Sequence, residues 1–312
     1  MLRYILGRLL GIIGVLFGVS LITFLFMHAV PGGPFDALNK QEIPLPEHIR
    51  ATLMAKYQLD RPIYVQYISY IVHALQGDWG VSFRYGEPVT AFIARSWPVT
   101  IQLGLMTMVV AVFVGGVMGT LAALWPNSWV DYLTSIAVVT NLVTPTFVVA
   151  VLMIVIFSVQ LRWLPTGGWG EPAQMIMPVI AYALGPAATI ARYVRSSMLE
   201  ALAADYIRTA NAKGLAPRVV IGRHAARNAL LPLLTVVGPL VAWMVTGSFF
   251  IETIFRISGI GNQLTLSIYN RDYPVIMALS LLWSGVIAFA YLVTDLLYVV
   301  VDPRVRLTDQ RS

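Results

Sequence analysis

SSMLEALAADYIRTANAKGLAPRVVIGRHAARNALLP, residues 196 to 232, is a polar and basic island set between long apolar runs. Ser197-Met-Leu-Glu200 has the spacing of a capping box, in which a hydroxyl takes an orphan amide and a carboxylate reaches back. That spacing predicts a helix starting near Met198. Lys213 suits the negative end of the helix dipole, and Gly214 supplies a left-handed residue just beyond it. Pro217 cannot continue that helix but can open a second one. Leu199, Leu202, Ala203, Tyr206 and Ala210 recur at helical spacing and predict a packed side, while Glu200, Arg208, Asn211 and Lys213 fall mostly elsewhere around the axis. The stretch reads as two short helices with a sharp break, packed on one side and wet on the other.

Outward from this island the chain is hydrophobic. Of its 312 residues 58% are hydrophobic and 12% charged, whereas ordinary globular domains carry about a quarter charged residues. The composition identifies an integral membrane protein. With no cysteine, disulfides, a thiolate nucleophile and a thiolate metal site are excluded. The net charge of +6 does not point to nucleic acid, because the basic residues cluster between apolar spans, where topology accounts for them.

Arg3 and Arg8 precede an uncharged run from Leu9 to Val30, about the 20 residues that a spanning helix needs. The run ends in His-Ala-Val-Pro-Gly-Gly-Pro rather than in a small-residue cleavage site, so it reads as a retained first span. Gly7, Gly11, Gly14 and Gly18 share one face of it, which reads as ordinary helix packing. Residues 31–98 turn mixed and polar and read as an extracytoplasmic insertion of several helices. Thr100 to Leu124 is the second span, with Gly115 and Gly119 on a small-residue face. Asp131 to Phe157 is the third, interrupted by Pro145, which fits a kink beside a pathway and tolerated packing equally well. Trp163 and Trp169 read as headgroup anchors. The fourth span, Met175 to about Val194, holds Pro178, Gly185 and Pro186; the fifth, Leu233 to about Phe250, holds Gly238-Pro239. Helix breakers near mid-depth are where transporters put irregular backbone facing a cavity. The sixth span, Val275 to Val301, carries Asp295 near its inner end, where a structural partner such as an arginine of the basic loop is expected.

Charge orients the six spans. With both termini inside, Arg3, Arg8, seven basic residues from Arg192 to Arg227, and Arg304, Arg306 and Arg311 lie inside, against only Arg162, Arg256 and Arg271 in the short outer loops. The excess inside fits the rule for short loops. The divisions are then residues 1–30 for the N-terminus and first span, 31–98 for the insertion, 99–301 for spans two to six with the loop at 196–232, and 302–312 for a cytoplasmic tail.

Asp205 to Leu215 (DYIRTANAKGL) and His224 to Pro232 (HAARNALLP) closely resemble the cytoplasmic loop of permease subunits of binding-protein-dependent ABC importers, in the branch that carries dipeptides, oligopeptides and nickel. Pro31 to Phe35, Tyr57 to Ile71, Gly77 to Phe83, the Trp163-Leu-Pro word, Gly238-Pro239, and Glu252 to Val275 extend the likeness, which is strongest to the B-type subunit of oligopeptide permeases. The resemblance implies an all-α polytopic membrane protein with six transmembrane helices of the type I ABC importer permease fold. It also implies that the loop is a coupling helix fitting a cleft on an ATPase subunit, through Asp205, Tyr206, Arg208, Thr209, Ala210, Lys213, Gly214 and Leu215. Arg208-Thr-Ala-Asn-Ala-Lys-Gly214 stands at the place of the wider family's Glu-Ala-Ala-x-x-x-Gly motif, with arginine where that family has glutamate. Pro145, Pro186, Gly238, Pro239, Glu252, Gly259 and Gly261 are the candidates for pathway or gate. The implied partners are a second homologous permease subunit, two ATP-binding subunits, an extracytoplasmic peptide-binding protein, a peptide substrate and membrane lipid, with no nucleic acid. The implied location is the plasma membrane.

No catalytic, cofactor or metal residues are expected in this chain. A phosphate-binding loop requires Gly-Lys-Ser/Thr, and none of Lys40, Lys56 and Lys213 follows a glycine. ATP and Mg are therefore expected on a partner chain. No histidine begins a His-Glu-x-x-His motif, and Arg223 and Arg227 form a basic edge that fits an ATPase surface or anionic lipid, with the lipid or structural reading preferred. Dipeptides, glutathione and nickel chelates remain alternative cargoes. A stand-alone secondary carrier is the competing class; it would need buried ionisable groups near mid-membrane, whereas between Thr100 and Val301 the spans proper show only Asp131 and Asp295, both near their ends.

Overall fold

The computed structural model describes residues 2–31, 47–56, 60–230 and 233–301. Residues 32–46 and 57–59 of the expected insertion, Leu231 and Pro232 of the basic loop and the tail at 302–312 lie outside the described residues. The regular structure is helical: α1 (Leu2–Ala29), α2 (Glu47–Lys56), α3 (Ile63–Leu75), α4 (Val89–Leu124), α5 (Trp129–Val143), α6 (Thr146–Met153), α7 (Pro172–Ala203), α8 (Asp205–Ala212), α9 (Pro217–Val219), α10 (Ala226–Ala229), α11 (Leu233–Val245), α12 (Phe249–Ile254), α13 (Ile260–Asn270) and α14 (Tyr273–Val301). The winding widens to a π-helix over Ile154–Gln160 after α6 and over Val220–Ala225 between α9 and α10. Among the described residues five helices are long and apolar enough to cross a membrane, and a bent pair makes a sixth when counted as one span.

Three span boundaries differ from the sequence reading. The second span does not begin at Thr100, because α4 starts at Val89. Val89 and Phe92 are fully buried against Ile260, Val275 and Leu279, and this packing carries the helix outward past the apolar run, with Pro98 inside it. The third span is not a kinked helix: Trp129–Asn141 and Thr146–Gln160 meet at 103°. Pro145 there is the N-cap of α6 with extended backbone, and a proline cannot supply the amide that would carry α5 onward. The fourth span is not over by Val194, because α7 runs unbroken to Ala203 and Met198 lies inside it, fully buried. Ser197 and Glu200 therefore do not form a capping box. A packed helix interior overrides a local start signal.

The chain divides into two compact units, Met1–Thr100 with Ser258–Phe289, and Ile101–Ile257 with Ala290–Ser312. In the first unit α13 and the outer part of α14 pack with the start of α4 around Phe92, Ile260 and Leu279, while Phe24 and Met27 of α1 pack with Ile276 and Met277. Tyr273 ties these together by donating its hydroxyl hydrogen bond to the Met27 carbonyl at 3.1 Å. Gly7, Gly11, Gly14 and Gly18 take no part: none of their Cβ positions would meet a described atom of this chain within 4 Å.

In the second unit α4 and α7 touch backbone to backbone. A Cβ on Gly115 or Gly119 would collide with the carbonyl oxygens of Ala187 and Ala191, so the small-residue face of α4 is buried on α7. Contacts of this kind replace the hydrophobic drive that lipid removes. The Trp163–Trp169 turn is tied to the unit, with Gly168 N–H donating to the Phe255 carbonyl at 2.7 Å and the Trp169 indole to Gln102 Oε1 at 3.2 Å. Trp163 is exposed and Trp169 half-buried.

Candidate functional site

Ala204, with ψ of 149°, breaks the chain between α7 and α8, and α8 begins at Asp205. The break resets the helical phase. Ile207 and Ala210 become the buried side, at 4% and 5% exposure, and Tyr206, expected inside, is exposed together with Ala203. The end of α8 follows the sequence reading. Lys213 closes the last turn, and Gly214 takes φ of +74°, a left-handed conformation that costs an L side chain about 1–2 kcal/mol. Its amide donates to the Asn211 carbonyl at 2.9 Å, and the Leu215 amide donates to Ala210 at 3.4 Å. Pro217 then opens α9 as its first residue.

Behind α8 the packing is continuous with the membrane spans. Ile207, Ala210, Val220 and Ala225 belong to the same hydrophobic cluster as Ile190, Val194 and Met198 of α7. In front, Asp205, Tyr206, Arg208, Thr209, Lys213 and Leu215 are exposed side by side, with Tyr206 and Leu215 apolar among polar neighbours. Thr209 donates to the Asp205 carbonyl at 3.1 Å. Arg208 and Asp205 approach at 3.7 Å with both side chains largely in solvent, a pairing that adds little to stability. The eight coupling candidates thus share one anchored segment, Ala210 as its packed side and the others as its outward face or its turn. On the following turn Arg223 and Arg227 are exposed, and the Asn228 amide donates to the His224 carbonyl at 3.1 Å.

The seven pathway candidates lie on several elements. Pro145 caps α6, while Pro186 lies within α7 and Pro239 within α11. Gly238 packs on α14, where a Cβ would strike the Thr294 hydroxyl. Glu252, in the first turn of α12, is fully buried. Those five belong to the second unit; Gly259 and Gly261 belong to the first, Gly259 as N-cap of α13 and Gly261 accepting from the Thr265 hydroxyl at 3.1 Å.

Two arrangements escaped the sequence reading. Arg195 of α7 grips Asp131 of α5 with Nε and Nη2 at 2.6 and 2.7 Å, and the Asn127 amide adds a third bond at 3.0 Å. The carboxylate is buried and its charge is answered locally. Ser128, three residues earlier, caps α5 through the Asp131 amide. That Ser-x-x-Asp spacing was a signal for the helix start, although none existed for the arginine. In the first unit Asp272 accepts from the Ser82 hydroxyl and from the amides of Phe83 at 3.0 Å, Arg84 at 3.4 Å and Val275. Asp272 and Ser82 are each 1% exposed. Burial raises the Asp272 carboxyl above the usual carboxylate range, against the opposing pull of the Ser82 and backbone donors. The Gly77–Phe83 and Arg271–Pro274 words, far apart in sequence, thereby become one structure.

Comparison with known proteins accounts for this arrangement. Residues 1–104 match the family model described as binding-protein-dependent transport system membrane component, N-terminal, and residues 115–307 match the binding-protein-dependent transport system inner membrane component. The chain is 41% identical over 308 residues to the dipeptide transport system permease protein DppB of Bacillus subtilis, covering 98% of this chain and 99% of that one. It is likewise 41% identical over 309 residues to the oligopeptide transport system permease protein OppB of Salmonella typhimurium, covering 98% of this chain and all of that one. The crystal structure of an amino acid ABC transporter with histidines shares the fold at TM-score 0.53 and 16% identity, over 67% of this chain and 94% of that one. The spans, the two matched segments and these near full-length likenesses make this multi-pass membrane chain a member of the binding-protein-dependent transport system inner membrane component family.

Proposed function

We propose that this chain is the permease subunit of an ATP-driven peptide importer, with oligopeptides as the favoured cargo. It would supply half of a translocation pathway and pair with a second homologous permease. Two ATP-binding subunits would hold ATP and Mg, and an extracytoplasmic binding protein would deliver the peptide. Both termini would face the cytoplasm, as the excess of basic residues in the inner segments argues. The chain itself carries out no chemistry.

One observation carries the reading. α8 is packed into the core of the spans through Ile207 and Ala210 while Tyr206 and Leu215 stand apolar and exposed on its other side. A short helix fixed from behind and unfinished in front is suited to pass on the movement of a partner seated against it. Coupling of this kind must be energetic, with the two states of the partner favouring two states of the bundle. The relatives named as dipeptide and oligopeptide permeases supply the cargo class.

Tyr206→Glu and Leu215→Glu place charge on the outward face without touching the buried side. In the reconstituted complex they are expected to abolish peptide-stimulated ATP hydrolysis and uptake while this chain still inserts and folds. Unchanged stimulation in both variants would defeat the docking assignment.

A further inference from the structure

α3 is apolar, with the sequence IYVQYISYIVHAL, and at 13 residues is too short to cross a bilayer. Its two sides differ in chemistry. Gln66, Ser69, Tyr70 and His73, spaced i, i+3, i+4 and i+7, line a cavity shared with His28 and Asp78. On other sides of the helix Tyr64, Ile68, Val72 and Leu75 are exposed, Leu75 to 84%. Ile71, Ala74 and Leu75 form one wall of a second, apolar groove of about 810 Å³, whose other walls include Phe17 of α1, Trp97 of α4, and Leu282 and Gly285 of α14.

We infer that this groove is a lipid site: α3 lies in the membrane rather than in the water outside it, and an acyl chain of a bilayer phospholipid fills the space between α1, α3 and α14. The groove is continuous with surfaces that already face lipid, since α1 and α14 are spans and present Ile13, Phe17 and Phe289 outward beside it. Its described walls are hydrocarbon apart from Ser20 and the indoles of Trp79 and Trp97. Its one hydroxyl wall residue, Ser20, donates to the Phe17 carbonyl and meets the Tyr67 hydroxyl, both at 2.8 Å. A peptide entering there would lose water from its amides without replacement, whereas a hydrocarbon chain loses nothing. At Gly285 the site is open: a Cβ would meet only Leu16 Cδ2, at 3.9 Å. α3 thereby has the division of an interfacial helix, an apolar side in lipid and a polar side that turns into the first cavity, with Gln66 buried and His73 reaching solvent at its end.

The chain has no cysteine, so single cysteines can carry nitroxide labels without background. Ile68→Cys, Val72→Cys, Leu75→Cys and Gly285→Cys report the apolar side, and Ser69→Cys and His73→Cys the polar side. Each is labelled in the full chain, assembled with its partner subunits in phosphatidylethanolamine and phosphatidylglycerol vesicles. Collision with oxygen, which concentrates in lipid, is expected to exceed collision with a water-soluble nickel chelate several-fold at 68, 72, 75 and 285, and the order to reverse at 69 and 73. A second variant, Gly285→Phe, fills the groove and should lower oxygen collision at a Leu75 label. Nickel access at 75 and 285 would overturn the inference in favour of a wet surface. Shielding of both positions from both reagents would overturn it in favour of a helix of a partner subunit. Neither outcome bears on the coupling role of α8, which is read by ATP hydrolysis.

Discussion

The Asp272 junction of the first unit and the α8 surface of the second are both built from polar residues, yet they are finished to different degrees. Around Asp272 every oxygen faces a donor from this chain, and the carboxylate and the Ser82 hydroxyl are shut away from solvent. Around α8 the ion pair is loose and exposed, and apolar Tyr206 and Leu215 stand in the open. The first is complete as one chain. The second is packed on its rear side and open on the other, and the difference separates a buried junction from an exposed surface.

The comparison can be tested by substitution. Asp272→Ala should have the largest effect, because it strands several buried donors, each costing about 1–3 kcal/mol when left unsatisfied. The expected result is a marked fall in melting temperature in detergent and in membrane yield. Its conservative counterpart, Asp272→Asn, adds a sign. A carboxyl raised in the folded state contributes stability that is present below its unfolded pKa and lost as pH rises through the folded one. The gap between wild type and Asp272→Asn should therefore be widest in acid and shrink toward alkaline pH. Gly214→Ala comes next. Forcing a side chain into φ of +74° should cost about 1–2 kcal/mol and loosen the end of α8, seen as faster amide exchange from Ala210 to Leu215. Asp205→Ala should leave the melting temperature unchanged, since its partner Arg208 is already solvated. A large loss of stability there would erase the contrast between the two regions.

Where structure followed from neighbours in sequence, the sequence was a good guide. Gly214 and Pro217 could be read because each acts through its own backbone, and the close face at Gly115 and Gly119 because small residues one turn apart can admit a partner helix, although the same spacing at Gly7, Gly11, Gly14 and Gly18 meets no described atom of this chain. Ser197 and Glu200 misled because a capping box looks the same whether a helix starts there or passes through, and only the burial of Met198 decides. Tyr206 was placed inside because its phase was counted from α7, and the break at Ala204 was silent in residue type. The α5–α6 bend was half visible: Pro145 announced an interruption but not its 103° angle. Asp131 with Arg195 and Asp272 with Ser82 had no local signal at all, since the partners are 64 and 190 residues apart. For the α8 segment the turn and its end were legible from residue type, whereas Pro186 and Gly238-Pro239 marked places in helices without saying what faces them.

The contact of α4 with α7 restricts how force can travel. With Gly115 and Gly119 seated against the carbonyls of Ala187 and Ala191, a small slide of one helix along the other would drive Cβ atoms of neighbouring residues into backbone. The pair is meshed like a rack and pinion locked at one tooth. A pull on the end of α7 should then carry the adjoining part of α4 with it, so that within the second unit the two rods travel as one.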